Sequence, residues 1–240
     1  MNDKKELLDA ANKICTTIQQ PLLECKVDDT RPARMAGNLC LTILELHIGV
    51  TALLNSYAET HAPILLRAMQ ESLASLICLS LDLNYINQIY LDDADQNAKM
   101  IEGFLKVLSP AEQPNINTYW KPLLDGERQT IKTHIDKGLK CQKIYERFKM
   151  AGMLENYEST YRFLCSFAHN NATTLHSRHG AVGELKFADP FPLETFRMCL
   201  KISLITLKDA VNLMPKFTDI DEVELNKLYE IIEPELLKLG

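Results

Sequence analysis

The sequence predicts an all-α fold: one helical bundle of about seven to eight helices over residues 1–240, with an irregular loop or short hairpin after the helix carrying Arg162 and His169. Three observations predict it. Apolar residues recur every three or four positions, as in Met35, Leu39, Ile43, Leu46, Val50 and Leu53. A chain of 240 residues that is 46% hydrophobic and 24% charged has the balance and length to bury a full core. No internal repeat or low-complexity segment interrupts the pattern. The core bundle is expected over about 32–173, with C-terminal helices over 193–239 packed on it.

Leu7, Leu8, Ala11, Ile14 and Ile18 share a face of a first helix, capped by Asn2 or Asp3 and interrupted at Pro21. Pro32 opens a second helix reaching about Tyr57. His47 lies among its apolar residues and is expected to be a hydrogen-bonded core histidine. The third helix starts at Pro63 and is apolar nearly all round, which marks the centre of a bundle. Arg67 and Glu71 sit one turn apart on it, and charges there need partners. A fourth helix runs from Ala94 to Leu108.

Residues 109–126, with Pro110, Pro114 and Pro122, read as a loop tethered by Trp120. A polar helix is expected from Glu127 to Met150, ended by Ala151-Gly152, with Lys140, Lys143, Arg147 and Lys149 on a solvated face. The helix over 154–171 follows, closed by Asn170-Asn171. Then the regular pattern stops, and 182–188 reads as a short strand or hairpin arm confined by Pro190 and Pro192. Helices over 193–213 and 222–239 complete the chain, the last checked at Pro234.

A net charge of −6 and a pI of about 5.6 give no global attraction to nucleic acid, so a polyanion site must be a local patch. No export segment is recognised, and the longest apolar runs are broken by Glu45, Arg67, Gln70 and Glu71. The expectation is a cytoplasmic protein without a membrane partner. Seven cysteines without CxxC spacing, among them Cys40, Cys78, Cys165 and Cys199, read as small core residues.

The stretch 154–171 carries the candidate chemistry. At about 100° per residue, Leu154, Tyr157, Tyr161, Leu164, Cys165 and Ala168 form an apolar stripe. Glu155, Glu158, Arg162, Ser166 and His169 form a polar arc beside it. Arg162 and His169 are two turns apart and leave the helix in nearly one direction. RNA carries its own nucleophile, the 2′-hydroxyl, so its cleavage needs an acid/base near neutral pH and a cation at the phosphate. Histidine and arginine are suited to those tasks, and Tyr161 and Ser166 can add hydrogen bonds. The same residues fit a structural role: Glu158 and Arg162 can form an i,i+4 ion pair, and His169 suits a helix C-terminus. His169, His176 and His179 form a possible zinc set, but no carboxylate lies at ligand spacing, and neither metal nor cofactor is expected.

Leu66-Arg67-Ala-Met-Gln-Glu71-Ser, followed by Ala151-Gly-Met-Leu154, Tyr157, Tyr161-Arg162, Ser166 and His169, resembles an uncharacterised, mostly bacterial helical family marked by an Arg-x3-Glu helix and a Tyr-x3-Tyr-x4-Ser-x2-His helix. That family is similar in turn to the HEPN superfamily, whose metal-independent ribonucleases use an Arg-x4-6-His motif. The resemblance covers roughly Pro32 to Thr173 and departs at Phe163, where HEPN nucleases often carry Asn or another polar residue. It implies Arg162 and His169 as phosphate-binding and acid/base residues, with Arg67 and Glu71 as supporting residues on the facing helix. It also implies a homodimer, an RNA substrate and a role in defence or in a toxin–antitoxin pair with a protein inhibitor. Since fold does not carry activity, three classes stay open: ribonuclease, non-catalytic binding module, and metal enzyme of the three histidines.

Overall fold

Thr30 and Pro32 set the start of the helix on which the bundle is built. The Thr30 hydroxyl accepts from the Ala33 amide at 3.2 Å, and Pro32 sits in the first turn, where its missing N–H costs nothing. A computed structural model describes residues 2–107, 116–169, 171–181, 184–186 and 189–238. Among the described residues the chain forms ten helices. They are α1 Asn2–Glu24, α2 Arg31–Leu54, α3 Ala62–Leu81, α4 Ile86–Val107 and α5 Lys121–Ile135. Then come α6 Ile144–Met150 and the helical run α7, made of Leu154–Asn156, a π turn Tyr157–Tyr161, and Arg162–Ala168. Helices α8 Ala172–His179, α9 Leu193–Asn212 and α10 Glu222–Lys238 follow.

Helix α3 is the axis, as its all-round apolar sequence requires. Leu66, Met69, Leu76 and Leu79 on it are fully buried, and α2, α9, α7 and α6 pack around it. One core cluster runs from Leu7 of α1 through α2, α3, α6, α7 and α9 to Ile232 of α10. Each fully buried aliphatic side chain contributes about 1.5–3 kcal/mol of transfer free energy. A smaller cluster joins Ala98 and Ile101 of α4 to Leu124 of α5. Trp120 packs beside it, 5.6 Å from Phe104 between ring centroids. The segment it anchors is helical from Ile116 on, where a loop to 126 was expected, because Pro122 sits in the first turn of α5 and suits a helix start.

His47 is a core histidine, fully buried, with Nδ1 at 2.7 Å from the Ser203 hydroxyl. Burial pushes its pKa down to about 4, against a smaller upward pull from the Ala11 backbone. Arg31–Leu54 and Glu59–Leu81 are long and apolar enough to cross a membrane, contrary to the reading that charges break them. Between 44% and 50% of their apolar windows is buried inside the bundle, which is also how core helices of this length behave.

Several boundaries differ from expectation, each for a local reason. Helix α1 passes through Pro21, because the proline lies in the last turn and gives up one hydrogen bond near an end that frays anyway. Helix α10 likewise carries Pro234 in its last turns. The expected polar helix 127–150 is two helices, divided at 136–143 where Gly138 takes φ +87°. Arg147 leaves the expected solvated face: it bonds the buried Asp92 at 3.3 Å and the Ser75 hydroxyl at 3.2 Å. The segment after His169 is helical, not irregular, because the Asn171 side chain caps α8 by accepting from the Thr174 amide at 2.8 Å. Gly180–Ala181 pairs antiparallel with Glu184–Leu185, a two-residue hairpin where an arm was expected. Pro110, Pro114, Asn170 and residues 182–183 and 187–188, parts of the expected loop, cap and arm, lie outside the described residues.

Candidate functional site

Arg67 rises from the first half of α3 where α7 packs along it. Its Nε donates to Glu71 Oε1 at 3.0 Å and lies 3.2 Å from the Tyr161 hydroxyl. The same Glu71 oxygen accepts from that hydroxyl at 2.7 Å, closing a triangle between α3 and α7. The guanidinium also faces the Tyr161 ring, 5.5 Å from its centroid. Partial burial pulls the Arg67 pKa down, but the Tyr161 hydroxyl and Glu71 outweigh it and hold the cation firmly charged. Burial, then the bond to Glu71, raise the Tyr161 pKa, so the phenol stays a donor.

The free end of this cation meets the histidine. Arg67 Nη1 lies 3.5 Å from His169 Nε2, a contact that requires the tautomer with its lone pair on Nε2 when the imidazole is neutral. His169 ends α7 with its amide bonded to the Cys165 carbonyl at 3.1 Å, and its ring is exposed. The Arg67 and Glu71 side chains are 28% and 32% exposed, so the triangle sits at the surface rather than inside the core.

A π turn underlies this arrangement. In Tyr157–Tyr161 the rings of Tyr157 and Tyr161 stack at 5.3 Å with 18° between planes, over Phe148 at 4.8 Å from Tyr161. Such turns carry one residue more per turn than an α-helix and recur at functional sites. Arg162, the first residue after the turn, is exposed, and its guanidinium lies 5.8 Å from the Tyr157 ring centroid. Helical side chains lean toward the N-terminus, which carries Arg162 back over Tyr157 while His169 reaches Arg67. Among the described residues no ion pair joins Arg162 to Glu158. The cation in contact with His169 is thus Arg67, which the sequence reading gave a supporting place, and Arg162 holds a separate position on the aromatic stack.

The remaining expected residues divide. Ser166 donates to the Phe163 carbonyl at 2.7 Å and accepts from Thr174 at 3.2 Å, so it ties α7 to α8. His179 Nδ1 lies 3.1 Å from the Lys186 carbonyl, and His176 packs against Gly180. Among the described residues no three His, Cys, Asp or Glu side chains converge as metal ligands. Two cavities, of about 750 and 860 Å³, lie elsewhere, one between α1 and α10 and one between α1 and the start of α9. Sequence reading missed His61 and Arg178, which touch at 3.0 Å although 117 residues separate them. No local pattern signals that contact.

An all-α protein that sets an exposed histidine against an anchored arginine is the class this fold and site define. The chain belongs to a family of unknown function, DUF5677, whose model matches residues 34–184. The matched stretch contains Arg67, Glu71, Tyr161, Arg162 and His169. No curated protein and no solved structure matches the chain.

Proposed function

We propose that this protein is a metal-independent endoribonuclease of HEPN-like type, with His169 as acid/base and Arg67 and Arg162 as the cations that receive the phosphate. The observation that carries the reading is the 3.5 Å contact of exposed His169 Nε2 with Arg67 Nη1, whose guanidinium is oriented from behind by Glu71 and Tyr161. A pre-oriented guanidinium stabilises charge on a phosphate without reorganising during reaction. In the proposed step, His169 takes the 2′-hydroxyl proton as that oxygen bonds to phosphorus. The bond to the 5′-oxygen breaks, and the imidazolium returns its proton there. The products are a 2′,3′-cyclic phosphate and a 5′-hydroxyl, with no electrons transferred and no metal in the balance.

The HEPN likeness adds that two protomers would bring their sites together, so a cytoplasmic homodimer held in check by a protein inhibitor belongs to the same proposal. A second reading has its own observation: Arg67 Nε is fully used by Glu71 and Tyr161, as in a structural clamp of a binding module. Labelled RNA incubated in excess chelator with purified protein separates the two. Cyclic-phosphate ends, lost in His169→Ala and Arg67→Ala, support the nuclease. No product from folded, dimeric protein removes it and leaves the module.

A further inference from the structure

Arg178 closes the last turn of α8 and is only 6% exposed. Its Nη2 lies 3.0 Å from His61 Nε2 and 3.4 Å from Nδ1, and its buried Nε has no hydrogen-bond partner. Among the described residues no carboxylate forms an ion pair with it. Glu59, two residues before His61, is committed to Lys4 and to the Phe191 amide, and Asp189 to Lys186. The carbonyl end of α8 offsets part of the charge. A buried guanidinium with an imidazole against it and a donor left over has, among the described residues, no counter-charge.

The neighbouring groups have the same sign of preference. His61 and His179 are both basic rings, and the proximity of Arg178 and His179, after burial, pulls the His61 pKa down. Among the described residues such a set offers donors and no anionic acceptor, and an oxyanion satisfies it: two guanidinium hydrogens toward one phosphate, and an imidazole N–H on a third oxygen. Gly180 makes the close geometry possible. A Cβ there would come within 2.5 Å of His176 Nδ1 and 2.6 Å of its backbone carbonyl, so only glycine lets the chain turn away under His179.

We propose that Arg178, His61 and His179 form a phosphate-binding pocket separate from the Arg67–His169 pair. Taking that pocket as part of the cleavage site rests on the nuclease reading above. His61 immediately precedes α3, on which Arg67 is the sixth residue, and α8 begins three residues after His169 and rises about 9 Å from Ala172 to Arg178. Both helices that carry the Arg67–His169 pair thus lead in the chain to the Arg178–His61 contact.

The test is binding, read by thermal unfolding of the full chain at constant ionic strength. Inorganic phosphate is the first probe and an uncleavable 2′-O-methyl tetranucleotide the second. Saturating phosphate is expected to raise Tm by about 5 °C over chloride. The rise is expected to vanish in Arg178→Met and His61→Ala and to persist in His169→Ala. Without phosphate, Arg178→Met should be no less stable than the parent, since it removes an uncompensated charge. Arg178→Lys keeps the charge and loses the fork, so its phosphate affinity should fall about tenfold. A parent protein indifferent to phosphate, or a response intact in Arg178→Lys and His61→Ala, overturns the pocket. A response to the tetranucleotide as well identifies a strand phosphate as the source, and a response to phosphate alone a free phosphate group. Lost RNA cleavage with phosphate binding intact would remove the nuclease reading and leave the pocket standing.

Discussion

Arg147 and Arg67 each pin a helix to α3, and they end in opposite circumstances. Arg147, on α6, reaches Ser75 of α3 and Asp92 of α4, with side chains 18% and 6% exposed for the arginine and the aspartate. Asp92 is saturated further by Gln88 at 2.9 Å and the Gln142 amide at 2.8 Å. Arg67 has a carboxylate and a phenol at its Nε, but its outer edge faces an exposed imidazole. The first network is a sheltered joint between three helices, bonded through both Nη atoms of Arg147 while its buried Nε has no partner. The second is anchored on one side and open on the other, the geometry expected of a group that must meet a ligand. Exposure, rather than residue type, separates the two.

The largest expected effect lies on the open side. His169→Ala should reduce cleavage of a labelled RNA about 10²- to 10⁴-fold with Tm almost unchanged, because the ring is exposed. Arg67→Ala should cost cleavage comparably, and Arg162→Ala less. A loss confined to Arg162→Ala would return the phosphate cation to the position read from the sequence and leave Arg67 a structural clamp.

On the closed side, Asp92→Ala should lower stability by about 3–5 kcal/mol, measured by denaturant unfolding, since it strands Arg147 in the interior. A change below about 1 kcal/mol would mean the joint is no more than a surface pair. His47 sharpens the contrast through pH. Its pKa is held at about 4 in the fold against an ordinary 6.5, so between those values the unfolded chain binds a proton that the folded chain refuses. Stability is fully present above pH 6.5 and falls as pH drops toward 4, by about 3 kcal/mol for this group. In His47→Asn that slope should flatten in a series of melts from pH 7 to 4.5. The smallest effect is expected from Tyr161→Phe, which removes the hydroxyl that donates to Glu71 and accepts from Arg67, at about 1 kcal/mol per bond, and lets Arg67 drift. Its cleavage rate should fall more than its stability does, and the reverse order would favour the binding module.

Periodicity and caps were readable because they are local. The stripe of α2, the all-round apolar α3, the pairing of Arg67 with Glu71 and the burial of His47 follow from spacing of three to four residues and the cost of lone charges. The cap Asn171 to Thr174 carried a local signal as well, an Asn three residues before a hydrogen-bonding amide, though the polar composition of 170–180 masked it. The π turn carried none: Tyr157 to Tyr161 reads as an ordinary helix until its rings are packed on Phe148.

By itself, then, the sequence determined an all-α protein, its central helix and the presence of arginine and histidine near one another on α7. Which arginine meets His169, that Arg147 is half-buried on Asp92 while Arg162 is exposed, and that Arg178 touches His61 were decided only by tertiary structure. Helical propensity and amphipathicity act within a turn or two along the chain. The partner of a long, flexible guanidinium is chosen by how two helices cross, and the energies that settle the crossing are spread over dozens of core contacts far from either residue.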